Sequence, residues 1–491
     1  MNAYEELAAA TVVTGFHATD AATFHDEVGA TPFGGYVFFA RNLTSVEQGR
    51  ALTDAMRARA NRLLPPVIAI DQEGGRVVRL RDGVECLPSA MAMSATGDTT
   101  LIAQAGEQCA FDLRRMGMNV NFAPVLDLAL APQSTVIGTR SFGRDPARVI
   151  ATAGAFTRGL HRGGIVATPK HFPGHGGTSV DSHLALPVID GSLQRLATRD
   201  LAPFRAILPQ CRAVMSAHIV IEALHDERPV TLNGPFLNEW LRTNCAFSGV
   251  LFSDALEMQA IAGTLGIVEG AICALAAGVD ALILSGGPDE SRRIIRAIAS
   301  AIASGRIPLE RMMQAVERMR SLRTQFAAPL AVDARPPYAG IAKTIAARSI
   351  TTLRGNPVAP FHRIVAFSGE VEHGAVDLEP SAKGFESHII TLPLQPSFAE
   401  VDAVMQSLGE ERIVVFRRRA HLYPEQHAAI VRILAERPET LLVSTLEPYD
   451  ALSFPQAKHV VCTYGDDAAM LSALHDVLDG RASTTGSLPV G

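Results

Sequence analysis

Residues 170–183, KHFPGHGGTSVDSH, bring a lysine, three histidines and an aspartate together in one short segment. Proline and the repeated glycines disfavour the interior of a helix or a strand, so the segment is predicted to be a loop. Titratable side chains on a loop could bind a substrate, hold a metal ion or transfer protons. This loop is therefore the first candidate for chemistry.

Asp181 and His183 are the pair in this loop that could transfer a proton. A carboxylate two residues before an imidazole can bond one ring nitrogen, set the tautomer and raise the basicity of the other nitrogen. The pair would then work as a general acid and base near neutral pH. The alternative is a solvated histidine beside an aspartate in an Asx turn, which an isolated D-x-H pattern favours.

Asp254 is the candidate nucleophile. It follows the apolar run GVLFS, which predicts a buried strand. A carboxylate at the end of that strand could attack an electrophilic carbon while nearby cations keep it ionised. The alternative is a helix N-cap, because Ser253 and Asp254 precede ALEMQAI and both residue types cap helices well.

Polar side chains that follow other apolar runs could bind a sugar. Asp71 follows VIAI and could accept two hydroxyl hydrogen bonds, and Arg79 could donate to another hydroxyl. Arg140 lies in a predicted loop before a helix, and Lys170 and His171 follow IVATP. For Asp71 and Arg79 the alternative is a turn with surface ion pairs, and for Arg140 it is a solvated loop arginine. The other polar residues at predicted strand ends are Arg41, Asn42, Glu73, Asp127 and His218.

A metal site is the second use to which the loop could be put. His171, His175, Asp181 and His183 are imidazole and carboxylate ligands that zinc accepts. The spacing H-x-x-x-H brings two rings together on a helix, but Pro173 and the glycines argue against a helix here. The sequence therefore predicts no metal and no cofactor.

The elements that must position these residues alternate between two kinds. Short runs rich in β-branched and aromatic residues, such as GYVFFA, VIAID and GVLFSD, are separated by amphipathic segments such as LIAQAGEQCAFDLRRMG. About eight such units precede residue 286, which predicts an α/β fold with a (β/α)₈ TIM-like barrel. A doubly wound open sheet is the alternative. In a barrel, residues at the carboxyl ends of the strands share one face.

The chain of 491 residues is too long for one ordinary core, and its composition changes after the barrel. The predicted domains are a catalytic TIM barrel over 1–328, a proline- and alanine-rich linker over 329–345, and a smaller α/β sandwich domain over 346–491. The second domain has no glycine-rich phosphate loop after its first strand.

Charge and hydropathy exclude several partners. The net charge of −6 comes without a long run of one sign, so neither nucleic acid nor an anionic membrane is an expected partner. No apolar stretch approaches the length of a membrane span, and the start MNAYEELAAA lacks the basic region of a secretory signal. We expect a soluble, cytoplasmic protein, as a monomer or a homodimer.

Taken in order, the motifs resemble one family. The segments VIAIDQEGGRVVRL, NFAPVLDL, TRSFGRDP, KHFPGHGGTSVDSHLALP, VMSAHI and GVLFSDALEMQAI are similar to those of glycoside hydrolase family 3 β-N-acetylhexosaminidases of the peptidoglycan-recycling type. The resemblance covers roughly residues 30–285. The KHFPGHG-x4-DSH motif is its most specific part, because it separates N-acetylglucosaminidases from the β-glucosidase relatives.

The resemblance implies roles for the candidate residues. Asp254 would be the nucleophile that forms a covalent glycosyl-enzyme, and His183 would be the general acid and base with Asp181 as its partner. Asp71, Arg79, Arg140, Lys170 and His171 match the positions that hold a terminal N-acetylglucosamine. The implied partner is an N-acetylglucosamine-containing saccharide, and the implied activity is a retaining β-N-acetylglucosaminidase acting on muropeptides or chitooligosaccharides.

Three other functions remain open from the residues. A phosphorylase or transglycosylase of the same family would use phosphate or a sugar in place of water, and a metal-dependent hydrolase would use the histidine loop. A non-catalytic sugar-binding protein is the third. Two departures from the family stand out: smaller members lack the second domain, and Ala255 stands where many relatives have an acidic residue.

Overall fold

The structure is a computed structural model that describes residues 1–59, 64–178, 186–357, 363–368, 389–410 and 412–490. The first region of the chain forms a barrel of eight parallel strands. In chain order its strands are β1 (Val12–Thr14), β2 (Gly35–Phe38), β3 (Val67–Ile70), β4 (Val120–Asn121) and β5 (Val166–Ala167), then β7 (Ala213–Met215), β9 (Val250–Ala255) and β10 (Ala281–Leu284). A separate two-stranded sheet pairs β6 (Val188–Ile189) with β8 (Val220–Ile221).

The strands follow one another around the ring in the order β5-β4-β3-β2-β1-β10-β9-β7. The ring closes between β5 and β7 through backbone bonds of Phe172. Its N–H donates to the carbonyl of Met215 at 2.8 Å, and its carbonyl accepts from the N–H of Ala217 at 2.8 Å. The sequence prediction of an α/β TIM-like barrel is confirmed, and the open sheet is wrong.

The interior of the barrel explains why the strands read as apolar runs. Both faces of each strand are buried, one inside the ring and one under the helices, so alternation with polar residues is not needed. Inside the barrel, Phe122 and Phe252 pack edge to face, with the centres of their aromatic rings 5.5 Å apart.

The outer layer consists of helices that cover the strands. They are α1 (Ala3–Ala10), α2 (Ala21–Val28), α3 (Val46–Ala58), α4 (Ala90–Ala95), α5 (Thr99–Arg115), α6 (Pro146–Arg162), α7 (Leu193–Arg195), α8 (Ala202–Ile207), α9 (Gly234–Phe236), α10 (Gln259–Ala262), α11 (Ile267–Ala277), α12 (Pro288–Ala303) and α13 (Leu309–Arg323). Short 3-10 turns span Ala40–Asn42, Gly138–Arg140, Leu208–Gln210, Glu222–Leu224 and Val230–Leu232, and wider π turns span Leu196–Asp200 and Leu237–Asn244.

One end of the barrel is covered by α13. Met319 and Leu322 of this helix join the cluster inside the ring. Asp280, fully buried just before β10 begins, accepts from Arg318 of α13 at 2.9 Å and from Arg242 at 2.7 Å. Because these contacts lie at the amino end of β10, the opposite end, where the strands finish, is left for the candidate site.

The second region forms a six-stranded sheet with its own apolar core. Its strands are β11 (Thr351–Arg354), β12 (Arg363–Ser368), β13 (Ile389–Pro393), β14 (Ile413–Arg417), β15 (Leu441–Ser444) and β16 (His459–Cys462), in the order β11-β16-β15-β14-β12-β13. All pairs are parallel except β11 with β16. Its helices are α14 (Ile341–Ser349), α15 (Phe398–Ser407), α16 (Pro424–Glu436), α17 (Tyr449–Ser453) and α18 (Ala468–Leu478).

The two regions are joined by more than the linker. Helix α14 packs against α18 of the second region and against α4 and α5 of the barrel. The end of the chain returns to the barrel, where the carbonyl of Pro489 accepts from the N–H of Arg144 at 3.1 Å. The division into domains at 1–328, 329–345 and 346–491 stays a prediction. In the described part of the chain, no helix has both the length and the apolar character required to cross a membrane.

Candidate active site

The candidate residues gather where the barrel strands end. Asp71 follows β3, Lys170 and His171 follow β5, and Asp254 is the second-last residue of β9. Since parallel strands in a closed ring all finish at the same face, residues that are distant in sequence meet there. The carboxyl face of this barrel therefore carries Asp71, Lys170, His171 and Asp254 together.

Lys170 is the centre of this set. Its side chain is 2% exposed, and its Nζ donates to Asp71 Oδ1 at 2.6 Å and lies 2.7 Å from Glu73 Oε1. Burial alone would lower the pKa of the lysine, but the two carboxylates outweigh burial and raise it. Lys170 is therefore a fixed cation on the floor of the site.

Arg140 lies on the other side of Glu73. The 3-10 turn Gly138–Arg140 presents its guanidinium to both oxygens of that carboxylate, with Nε to Oε2 at 2.9 Å and Nη2 to Oε1 at 2.8 Å. Burial opposes the charged form of Glu73, yet Arg140 and Lys170 hold its pKa well below the usual range. The planar fork fixes both partners, which a lysine at position 140 could not do.

Arg79 reaches the site from the next loop. Its Nη2 lies 3.8 Å from Asp71 Oδ2, and its side chain is 25% exposed. Its guanidinium also lies 5.9 Å from the ring centre of Phe39, over which Arg41 sits at 4.4 Å. Arg79 is thus the more accessible of the two predicted arginines.

Asp127 organises the start of the histidine loop. It is fully buried, and its Oδ2 accepts from Nδ1 of His171 at 2.6 Å. Its Oδ1 accepts from the backbone N–H of His175 at 2.7 Å and from that of His171 at 3.2 Å. One carboxylate therefore holds the His171 ring and the backbone that follows it.

His175 is part of the support of the loop. It is 3% exposed, and its Nδ1 lies 2.8 Å from Thr178 Oγ1. Burial lowers its pKa to about 4, so the ring is neutral at physiological pH. A neutral ring bonded within its own turn fits a structural use.

Asp254 is partly buried at the end of β9. Its Oδ1 accepts from the N–H of Ala255 at 2.8 Å. Burial alone would raise its pKa, but His171, His218 and Lys170 together lower it below the ordinary value. The carboxylate is therefore ionised at neutral pH, as a nucleophile requires. The N-cap alternative is wrong, because β9 runs through Asp254 and helix α10 begins only at Gln259 after Met258.

His218 bonds to the backbone directly after Asp254. Its Nε2 donates to the carbonyl of Ala255 at 3.1 Å, and its Nδ1 lies 2.9 Å from Thr231 Oγ1. Burial lowers the pKa of His218. Its effect is to fix the backbone that follows Asp254.

Asp181 and His183 lie outside the described residues, since the structure describes the chain up to Thr178 and again from Leu186. The proton-transfer pair therefore stays a prediction. Among the residues that the structure does describe, no group of three or more His, Cys, Asp or Glu is arranged to hold a metal ion. Two of the four ligands of the metal alternative are Asp181 and His183 themselves.

Reasoning from the sequence had assigned no role to Glu73, Asp127 or His218, although all three had been noted at predicted strand ends. Each bonds to a residue outside its own segment: Glu73 to Arg140, 67 positions away, Asp127 to His171, 44 positions away, and His218 to Thr231, 13 positions away. Their position directly after apolar runs was the one signal that could have identified them.

Comparison with known proteins gives a consistent result. Residues 5–322 match the model of the glycosyl hydrolase family 3 N-terminal domain. A Beta-hexosaminidase of Methylococcus capsulatus (strain Bath) is 40% identical over 275 residues, which are 55% of this chain and 81% of the relative. A Beta-hexosaminidase of Pseudomonas aeruginosa is 42% identical over 252 residues, which are 50% of this chain and 73% of the relative.

A solved structure matches the second region as well. It is that of a glycoside hydrolase family 3 beta-N-acetylglucosaminidase from Paenibacillus sp. str. FPU-7, with a TM-score of 0.90 and 30% identity. The match covers 100% of this chain and 99% of the Paenibacillus chain.

Proposed function

Because the chain belongs to glycosyl hydrolase family 3, we propose that it is a β-N-acetylhexosaminidase of the retaining type. The proposed reaction removes terminal β-linked N-acetylglucosamine from muropeptides or chitooligosaccharides. The observation that carries the proposal is Asp254, a carboxylate in the strand β9 at the carboxyl face of the barrel, whose pKa its surroundings hold below the ordinary value.

In this proposal the floor of the site binds the terminal sugar. Lys170 has three donor positions on its ammonium and uses two for Asp71 and Glu73, so the third can reach a sugar hydroxyl. Asp71 can accept from hydroxyls through Oδ2, and Arg79 beside it can donate. Glu73 holds Arg140 in position. His171, with Nδ1 bonded to Asp127, can present Nε2 to the same sugar.

The first chemical step would form a glycosyl ester. A carboxylate oxygen of Asp254 attacks the anomeric carbon while the bond from that carbon to the leaving oxygen breaks. His183 gives its proton to the leaving oxygen, and Asp181 stabilises the ring in the required tautomer.

The second step would reverse the roles. His183 takes a proton from water, the water oxygen bonds to the anomeric carbon, and the ester to Asp254 breaks. Two inversions at one carbon leave the β configuration unchanged. A histidine in this position replaces the second carboxylate that retaining glycosidases commonly use.

The test is a product assay. The protein is incubated with N-acetylglucosaminyl-anhydromuramic acid and, separately, with chitobiose, and the released sugar is followed by proton NMR from the first seconds. The expected product is the β-anomer of N-acetylglucosamine, formed faster from the preferred substrate. The anomer is assigned with N-acetylglucosaminyl-anhydromuramic acid, because the reducing-end sugar of chitobiose is itself a mixture of anomers. Initial release of the α-anomer from the anhydromuramic acid substrate, or no release from either substrate, contradicts the proposal.

Two further arms of the assay address the other chemistries. With phosphate added, a phosphorylase would release N-acetylglucosamine 1-phosphate in place of the free sugar. With a chelator added, a metal-dependent hydrolase would lose activity. Free sugar as the product, at a rate that neither addition changes, supports the hydrolase.

A further inference from the structure

The second region contacts the barrel at the loop that carries Arg140. Tyr449 donates its hydroxyl hydrogen to the carbonyl of Ala129 at 2.9 Å, and His421 Nε2 lies 2.8 Å from the carbonyl of Pro132. Glu447, also of the second region, contacts the same barrel loop further along, at Gly138. These three side chains follow β14 and β15, so the carboxyl edge of the second sheet faces the loop over residues 129–140.

Glu447 has the most consequential of these positions. It is 2% exposed and accepts from both Nε and Nη2 of Arg419 at 3.0 Å. Its Oε1 lies 3.5 Å from Nη1 of Arg76 in the barrel. Burial opposes its charged form, yet the two arginines lower its pKa to about 2. It is therefore a buried anion shared between the two regions.

Gly138 leaves room for this carboxylate. A Cβ atom at residue 138 would lie 2.1 Å from Glu447 Oε1, closer than any real contact, and the backbone there has φ of +44°. The carboxylate thus rests against the backbone of the same 3-10 turn whose last residue is Arg140. A shift of Glu447 would be transmitted to that turn directly, because one residue, Thr139, separates Gly138 from Arg140.

Arg76 connects Glu447 to the hairpin that carries Glu73. The Glu73–Arg140 pair belongs to the proposed pocket for the terminal sugar, called the sugar pocket below. Arg76 lies at the tip of this tight hairpin, in which the N–H of Glu73 donates to the carbonyl of Val77 at 2.9 Å. Its Nη1 also donates to the carbonyl of Thr135 at 3.3 Å. At the base of the same hairpin, Glu73 binds Arg140 and Lys170. The Glu447 carboxylate is therefore in contact with both loops that hold the Glu73–Arg140 fork.

We propose that Glu447 of the second region is a positioning residue for the sugar pocket, which it keeps in shape by holding the Arg76 hairpin against the Gly138–Arg140 turn. The proposal rests on the proposed function in one respect, namely that the Glu73–Arg140 fork belongs to the pocket for the terminal sugar. It gives the second region a part in substrate binding without a catalytic group of its own.

The main test replaces Glu447 with glutamine, which keeps the size and removes the charge. The expected result is a rise of about tenfold in KM for an aryl β-N-acetylglucosaminide and in the inhibition constant of free N-acetylglucosamine, with kcat changed less. A loosened pocket weakens ground-state and transition-state binding together, which is the pattern of raised KM. Both constants are measured well below the thermal midpoint of the variant.

A matched control removes another ion pair between the same two regions. Arg348 of α14 lies 2.9 Å from Asp98 at the start of α5, away from the sugar pocket. Arg348→Gln is expected to leave KM and the inhibition constant within twofold of the wild type. An equal rise in KM in this control would overturn the proposal, because any loosening between the regions would then suffice.

A second variant covers the case in which Glu447→Gln does not fold. Arg76→Gln leaves the buried Arg419–Glu447 pair intact and removes the link between Glu447 and the hairpin, together with the bond from Arg76 to the carbonyl of Thr135. It is expected to raise KM and the inhibition constant in the same direction as Glu447→Gln. Unchanged constants in a folded Arg76→Gln enzyme would overturn the proposal.

A double-mutant cycle separates positioning from general destabilisation. If Glu447 acts through Arg140, then in an Arg140→Lys enzyme the further change Glu447→Gln should raise KM by less than twofold. Independent effects would multiply in full. A full tenfold further rise would overturn the proposed route.

The two proposals can fail separately. The wild type is first assayed on aryl β-glycosides of N-acetylglucosamine, glucose and N-acetylgalactosamine. Lack of turnover of the first with turnover of another would contradict the proposed function alone. The Glu447 series is then measured on the glycoside that is hydrolysed best, with the matching free sugar as inhibitor.

Discussion

The carboxyl edges of the two parallel sheets carry similar charged residues but face different surroundings. At the barrel, Asp71 and Arg79 remain 18% and 25% exposed beside the buried Lys170. At the second sheet, Glu447 and Arg419 are each 2% exposed and face the loop of the barrel. Ligands of α/β proteins commonly bind at such edges.

The difference teaches that a charged residue at a strand end is not by itself a sign of a substrate site. In the second sheet the crevice is filled by another part of the same chain, whose carbonyls accept from His421 and Tyr449. In the barrel the corresponding place holds the partly buried Asp254, whose pKa is lowered, and the buried Lys170. Whether such an edge can bind a substrate therefore depends on whether another part of the chain already fills it.

Asp254→Asn, at the carboxyl edge of the barrel, is expected to have the largest effect on turnover of all the changes at the two edges. The amide cannot form a stable glycosyl ester, so turnover of an aryl β-N-acetylglucosaminide is expected to fall by at least about a thousandfold. The free energy of unfolding should change little, because the side chain makes few contacts that an amide cannot make. Steady-state kinetics and urea unfolding check both points. A rate within tenfold of the wild type would rule out Asp254 as the nucleophile.

His183→Ala should have a large effect that depends on the leaving group. General acid catalysis contributes about a hundredfold to ten-thousandfold, and an activated aryl oxide leaves without a proton while a sugar does not. We expect a greater loss on chitobiose than on a nitrophenyl glycoside, with Asp181→Asn following the same order. Rates on a series of aryl leaving groups measure the dependence. Equal losses across the series would contradict the role as a proton donor.

Lys170→Met and Arg419→Met form a matched pair across the two edges. Each removes the buried cation from a carboxylate, so each is expected to lower the free energy of unfolding by about 3–5 kcal/mol. Lys170→Met should in addition lower kcat/KM by more than Arg419→Met, by about tenfold to a hundredfold, since in the proposed function Lys170 is also a charged donor to the sugar. Chemical unfolding and kinetics on the folded fractions give both values. Equal losses of kcat/KM would remove the functional distinction between the edges.

The smallest expected effect concerns the free energy of unfolding, which should depend on pH in opposite directions through one histidine at each edge, His421 and His175. Burial alone would lower the pKa of His421, but its bond to Asp450 at 2.6 Å and the charge of that residue raise it. A raised pKa in the folded state stabilises the protein below the pKa of the unfolded chain, about 6.5, and this stabilisation is lost as the pH rises through the folded value.

His175 has the opposite sign. Its pKa is lowered to about 4, so it stabilises the fold above about pH 6.5 and the stabilisation is lost as the pH falls from there towards 4. Urea unfolding of the wild type, His421→Gln and His175→Gln from pH 4 to 9 measures both. The difference in the free energy of unfolding between the wild type and His421→Gln should become smaller towards alkaline pH. The corresponding difference for His175→Gln should become smaller towards acid pH. Differences that stay constant would show that neither ring changes its charge as proposed.

The sequence predicted the barrel because apolar strands and amphipathic helices alternate along it, and these patterns are local. It also predicted that Asp71, Arg79, Arg140, Lys170, His171 and Asp254 belong to one site, and the structure brings them to one face. It did not predict which of them bond to each other. Glu73 and Arg140 are far apart in the chain, and nothing in the residues around either specifies the other.

The contact between the regions was out of reach for the same reason. Glu447 lies in a segment, TLEPYD, that has no feature to distinguish it from other loop glutamates. Its partner Arg76 and the space left by Gly138 lie more than three hundred positions earlier, so the contact exists only after both regions have folded. The structure of Asp181 and His183, which the sequence predicted to be the acid and base, lies outside the described residues.

The closure of the ring at Phe172 has a consequence for how this enzyme can change over evolution. The residue whose backbone joins β5 to β7 directly follows Lys170 and His171, so the closure of the barrel and part of the proposed sugar-binding surface are one stretch of chain. Mutations there are selected for foldability and for recognition at once, and few can satisfy both. New specificities should therefore arise through residues that are not part of this stretch, such as Arg79 and the loop around Phe39, while the stretch itself remains the slowest part of the site to diverge.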